Sequence, residues 1–152
     1  MTVRTSATST LRISAGTPVT FDAAGYAALS FTTIGEVTNM GELGRDFQLV
    51  THNPIATRGT QKFKGSFNEG TMALQLGLDT DDAGQIIAKA GSLSDNAYAF
   101  KLTTANGDVY YFQALVMNFK VGVNDVNSIT SATINLEITT SNTGVGIVEV
   151  LS

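Results

Sequence analysis

His52 is the natural first place to look for chemistry, because it is the chain's one histidine and there is no cysteine to share the work. An imidazole can serve as general base to a serine. No Gly-x-Ser-x-Gly elbow supplies that serine, and no second histidine or cysteine stands at metal-ligand spacing. His52 therefore reads as a loop residue at a surface or interface. Asp79, Asp81 and Asp82 with Gly84 have the look of a calcium loop's first half. Such a loop spreads its ligands over twelve residues and ends on a bidentate Glu, whereas position 90 is Ala. The same aspartates suit the start of a helix, where a carboxylate caps free N–H groups and meets the positive end of the dipole. The stretch Arg58-Gly-Thr-Gln-Lys-Phe-Lys64 is basic and holds an aromatic ring, the minimum for a nucleic-acid contact. It is short and has Glu69 nearby, so it reads as a solvated strand edge or a charged patch facing an acidic neighbour. The glycines form neither a dinucleotide nor a phosphate loop, and no tryptophan is present to stack a sugar. Nothing here supports catalysis, so no enzyme activity, metal or cofactor is expected.

The elements that would position these residues are mostly strands. Strand patterns cover Thr10–Ser14, Val19–Asp22 and Leu29–Ile34. Met72, Leu74, Leu76 and Leu78 then alternate with Ala73, Gln75 and Gly77, the period of a strand with one buried face. Residues 79–91 form the one convincing helix, with Asp79 or Thr80 as its cap, Ala83, Ile86, Ile87 and Ala90 on one face, and Gly91 as its stop. Ala99–Thr104 and Val109–Val123 flank Asn106-Gly107, the preferred pair for a two-residue type I′ hairpin. The second arm is long enough that a bulge or a bend onto a second sheet is expected. Ala132, Ile134, Leu136 and Ile138 alternate with Thr133, Asn135, Glu137 and Thr139 in a last clean strand. The pattern implies a mainly β fold: a β-sandwich or partly open barrel with one short flanking helix.

At 152 residues the chain suits one domain, residues 1–152. Charged residues make up 14%, well below the typical figure of about 25%. Such a surface suggests coverage by partners. The net charge of −4 comes without a basic block, which disfavours tight nucleic-acid binding. No run approaches the roughly 20 apolar residues of a membrane span. The first ten residues lack a signal peptide's apolar core and are expected to form an N-terminal arm. Residues 143–152 are expected to form an apolar C-terminal arm.

One segment fits none of this. Residues 35–65 carry five glycines, an Asn53-Pro54 turn signal and charges of both signs. Connections in compact domains run to about 4–6 residues, yet this one keeps Met40, Leu43, Phe47, Leu49, Val50, Ile55 and Phe63, which disordered linkers lack. It reads as a long loop that folds against another molecule, most economically a second copy of the chain.

The order Thr57-Arg-Gly-Thr-Gln-Lys-Phe-Lys-Gly-Ser-Phe67, then Gly70-Thr-Met-Ala-Leu-Gln-Leu-Gly-Leu-Asp79, the Asp-rich helix, and Tyr98-Ala-Phe-Lys-Leu through Tyr110-Tyr-Phe-Gln-Ala-Leu-Val-Met117 resembles a major tail tube protein of long-tailed, non-contractile bacteriophages. The resemblance spans about Gly16 to Thr140 and rests on the order of segments, since the family has no short diagnostic motif. It implies a structural virion protein that forms hexameric rings stacked into a tube, with DNA conducted through the channel without specific binding. Implied partners are further copies, a tape-measure protein, tail-tip or baseplate proteins and a tail terminator. The implied location is the virion tail, assembled in the host cytoplasm. By position, the long loop and both arms would bridge subunits and rings, with Met40, Leu43, Arg45, Phe47, Leu49, Ile55 and Arg58 as contact residues. Asp108, Asp125 and Glu137 are the candidates to face the channel, where negative charge would keep phosphates from sticking. The tube protein of a contractile secretion or tailocin-like system is the nearest alternative, and a carbohydrate- or receptor-binding β-sandwich module a more distant one.

Overall fold

A computed structural model describes residues 2–152. In chain order the strands are β1 (Thr10–Ser14), β2 (Thr32–Thr33), β3 (Val37–Asn39), β4 (Asp46–His52), β5 (Gln61–Asn68), β6 (Thr71–Gly77), β7 (Tyr98–Thr103), β8 (Val109–Val116), β9 (Lys120–Gly122), β10 (Ser131–Thr139) and β11 (Val148–Val150). Two helices, α1 (Ala23–Ala27) and α2 (Ala83–Ser92), accompany them. The main sheet runs β2-β1-β7-β8-β10-β6-β3, with β11 beside the stretch of β8 that β10 leaves unpaired and β9 beside the stretch of β10 that β8 leaves unpaired. It curls into a half-barrel, a mainly β fold with few helices.

Period-two patterning sorts the side chains of this sheet. Leu11 and Ile13, Phe100 and Leu102, Met72, Leu74 and Leu76, and Ile134 and Leu136 meet in one buried cluster. Each such side chain contributes roughly 1.5–3 kcal/mol of transfer free energy. Phe100 and Phe112 face each other in register and stack with centroids 5.4 Å apart. On the other face Tyr26 stacks on Tyr111 at 5.4 Å, covered by Phe21, Leu29 and Phe31.

Several local expectations are corrected. Val19–Asp22 is not a strand: the Asp22 carboxylate accepts the Gly25 N–H at 2.7 Å and the Thr20 hydroxyl at 2.9 Å, which starts α1 instead. α2 begins later than position 79 and is capped by Asp82, which accepts the N–H of Gln85 and that of Gly35, both at 3.0 Å. Its buried face is Gly84, Gln85, Ala88 and Gly91, while Ile86 is exposed. The cause is close approach: a Cβ at Gly84 would enter the backbone of Thr33, and one at Gly91 would lie 3.0 Å from Val116. The buried Gln85 amide ties the packing together, donating to the carbonyls of Gly35 at 3.0 Å and Gly77 at 2.9 Å.

The hairpin turn also differs. A type I′ turn needs positive φ at both central residues, but of Asn106 and Gly107 only the glycine has it, at 92°. The N–H of Gly107 donates to Thr104 and the N–H of Thr104 to Asp108, giving a three-residue loop with a glycine bulge. The long arm breaks as expected, into β8 and β9 at Met117–Phe119, where the Asn118 side chain accepts the N–H of Asn135. The C-terminal segment is extended and lies along its own sheet, pairing Val148 with Tyr111 and Val150 with Val109.

Candidate assembly interface

The segment expected to be a long loop is about half strand. β3 joins the edge of β6, and β4 and β5 form a separate two-stranded ribbon. Its register runs from Asp46 opposite Asn68 to His52 opposite Gln61. A bulge between Phe47 and Leu49 absorbs one extra residue on β5. Every residue of β4 is exposed. The turn at the tip closes where the N–H of Thr57 donates to Pro54. Neither strand has a partner on its outer edge among the described residues, so two runs of unpaired backbone groups stand open. Open edges of this length invite pairing with another chain.

The ribbon's side chains do not suit a free surface. Phe47 is 43% exposed, Leu49 61%, and Ile55 fully. Val50 and Phe63, opposite each other, are about half exposed. Around them are four cations (Arg45, Arg58, Lys62, Lys64) against one anion, Asp46, a local net charge of +3 on a chain of net −4. The cations lie on aromatic faces: the guanidinium of Arg45 is 3.8 Å from the ring centroid of Phe67, and Lys64 Nζ is 4.7 Å from that of Phe47. Each such pair is worth about 0.5–1 kcal/mol at exposed sites. They pre-order an apolar and basic face.

The ribbon's root is organised around Glu69, which is 2% exposed. Its Oε1 accepts from Arg45 Nε at 2.6 Å, and its Oε2 from the N–H of Ile147 at 3.3 Å. One buried carboxylate thus joins the root of β4, the β5–β6 corner and the segment leading into β11. Glu69 leaves no room for a side chain at Gly146. The corner itself is turned by Gly70, whose φ of 95° favours glycine.

The residues singled out from sequence separate on this frame. Phe47, Leu49, Ile55 and Arg58 lie together on the exposed ribbon, and Arg45 spans its root. Met40 and Leu43 pack partly buried against their own subunit's core. Asp108 is 6% exposed and takes the N–H of Ser152 at 2.9 Å, so it presents no charge to solvent here. Asp125 is exposed and closes its own turn by accepting the N–H of Asn127. Glu137 lies half-buried on a polar face of β6 and β10 shared with Thr71, Gln75, Thr133 and Asn135, and accepts the Thr71 hydroxyl at 2.8 Å. His52 ends β4, exposed. Sequence reading missed Glu69, because its importance lies in contacts 24 and 78 residues away.

No protein-family model matches the chain, and no curated protein matches it. Among solved structures it is similar over nearly its whole length to a chain from the six-fold symmetrised baseplate of the anti-feeding prophage. That likeness has a TM-score of 0.74 at 11% identity and covers 99% of this chain and 97% of the other. It is also similar to a chain from the sheath/tube terminator of PVC, an extracellular contractile injection system, in the extended state. There the TM-score is 0.67 at 9% identity, covering 99% and 98%. At these identities the likeness is one of fold: the chain has the fold found in these two assemblies.

Proposed function

We propose that this chain is a non-enzymatic structural subunit of a phage-tail-like particle, assembling with copies of itself into rings that stack as a tube or its terminal layer. The observation that carries this is the β4–β5 ribbon, with two open edges and five large apolar side chains exposed on it. A free monomer would have to guard such an element; a ring removes the liability by pairing edges between neighbours, and stacking repeats the contact without limit. The whole-length fold likeness to chains of a six-fold symmetrised prophage baseplate and of a contractile injection system's sheath/tube terminator supports a contractile injection system over the non-contractile long-tailed phage tail.

In this reading Phe47, Leu49, Ile55 and Arg58 touch the neighbour, while Met40 and Leu43 hold the ribbon's origin and Arg45 locks its root. The polar face carrying Glu137 is the surface suited to line a channel, since carboxylates offer phosphate no counterion release. Partners are then further copies together with baseplate, terminator and tape-measure proteins, in the tail of the particle. The test is negative-stain microscopy and sedimentation of the purified chain beside a variant with residues 48–66 replaced by Asn-Gly. Rings or filaments from the first and monomers from the second are expected. A full-length chain that stays monomeric at every concentration, even with purified baseplates as nuclei, would overturn the proposal.

A further inference from the structure

Among the described residues sixteen large apolar side chains are exposed, and twelve of them fall on two surfaces. Five are on the ribbon. Seven lie on a second patch formed by the outer side of α2, by β9 and by the loop that follows: Ile86, Leu93, Met117, Val121, Val123, Val126 and Ile129. At its centre is a groove of about 390 Å³ between α2 and β9, floored by Leu78 and Phe119 and edged by Ile86, Leu93, Val121 and Asp79. Leu93 is 86% exposed and Ile86 54%, so both side chains stand at the mouth with no cover from their own subunit.

The two surfaces are matched in charge and opposed in position. The segments that build the patch, 78–95 and 117–130, hold Asp79, Asp81, Asp82, Asp95 and Asp125 against Lys89 and Lys120, a net charge of −3. The ribbon, 45–68, carries +3, of which Arg45 is met by Glu69 at the root, leaving +2 toward the tip. The ribbon leaves the Thr71 end of β6, where its root meets the end of β10 at Ile138–Thr140. The groove lies past the Gly77 end of the same strand, where Leu78 donates to Thr130. At about 3.3 Å per residue β6 holds the two roughly 20 Å apart. The root of the ribbon and the groove of one subunit therefore sit at opposite ends of β6.

We infer that the α2–β9 groove receives the ribbon tip of a second copy, with Ile55 in the groove and Arg58 beside Asp79. This rests on the self-assembly reading above and names the receiving surface for it. Because giver and receiver lie at opposite ends of one strand, the contact is head-to-tail and leaves a free knob and a free hole at the ends of any stack. Edge pairing of the ribbon stems would act sideways, within a ring; tip-in-groove docking would act along the axis. Apolar burial supplies the attraction and the opposed charges set the direction and suppress tip-to-tip pairing.

The chain contains no cysteine, which permits a direct test. Single variants Ile55→Cys and Leu93→Cys are mixed, assembled and treated with a short bis-maleimide. Docking predicts that this mixed product exceeds that of Ile55→Cys with Val19→Cys, an equally exposed control, by on the order of tenfold, because docking raises the effective thiol concentration. Equal yields would overturn the inference. In parallel, Leu93→Asp, a change at an exposed position, is expected to keep the native circular dichroism and form single rings with no filaments. Filaments of normal length from Leu93→Asp would reject the groove while leaving self-assembly standing. Absence of both rings and filaments from the unmodified chain would reject the self-assembly reading, and this inference with it.

Discussion

The curled sheet and the β4–β5 ribbon use the same strand chemistry to opposite ends. In the sheet, Phe100 and Phe112 are fully buried and stacked in register, and the alternation of β10 puts Ala132, Ile134, Leu136 and Ile138 inside with Thr133, Asn135 and Glu137 outside. In the ribbon, Phe47 and Phe67 also pair across strands, edge-on at 5.8 Å, yet their strands have no third layer to pack on. A cross-strand pair contributes about 0.2–1 kcal/mol, and a two-stranded ribbon alone is marginal in water. The sheet is therefore the part that folds on its own, and the ribbon the part that the proposed assembly would complete.

The sharpest way to break this comparison is to truncate one aromatic on each side. Phe112→Ala is expected to cost the subunit about 3–5 kcal/mol, read as a shift of the denaturant midpoint at unchanged slope. Phe63→Ala should leave subunit stability within about 0.5 kcal/mol while raising the concentration needed for assembly. Similar stability losses from both would mean that the ribbon belongs to the folding unit.

A smaller effect separates the two ends of the polar scaffold. Asp82 caps α2 and also holds the N–H of Gly35, the first residue of the segment that leads into the ribbon. Asp82→Ala is expected to destabilise the subunit by about 1 kcal/mol, with Asp82→Asn recovering most of it. A wild-type thermal midpoint for the alanine variant would show that the cap adds nothing.

The smallest effect concerns pH. Burial pushes the Tyr26 phenol up from 10.0 to about 12, because the low-dielectric site disfavours the phenolate. The neutral form is the one the fold favours, so its contribution is complete below pH 10 and is lost as pH rises from there through about 12. All four tyrosines lie outside the ribbon, so alkaline weakening should appear in the subunit's unfolding midpoint. Tyr26→Phe should flatten that dependence between pH 10 and 12; an unchanged slope would assign it to another group.

Much of this architecture could be read from residue order. The alternating runs of β6 and β10 located those strands correctly because a period-two pattern survives any packing that buries one face. The break after Val116 was visible as an excess of length. Other features were not legible. In α2 apolarity pointed to Ala83, Ile86, Ile87 and Ala90; Ile87 does pack on the core, but the tight approach of Thr33 and Val116 turned the small residues Gly84 and Gly91 inward instead of the other three. The glycine-rich character of residues 35–65 concealed a strand pair, since Gly65 marks a bulge within a strand rather than an irregular loop.

By itself, then, the order of residues determined a mainly β chain and an apolar, basic segment around Phe47–Arg58. Those properties depend on local pattern and residue type, which do not need a partner in space. Only the tertiary structure decided that Glu69 closes the ribbon's root, that Asp108 is spent on the C-terminal Ser152, and that the exposed ribbon and the α2–β9 groove stand at opposite ends of β6. Each of these joins positions far apart in the chain, and a linear pattern carries no information about which distant backbone will arrive at a given side chain.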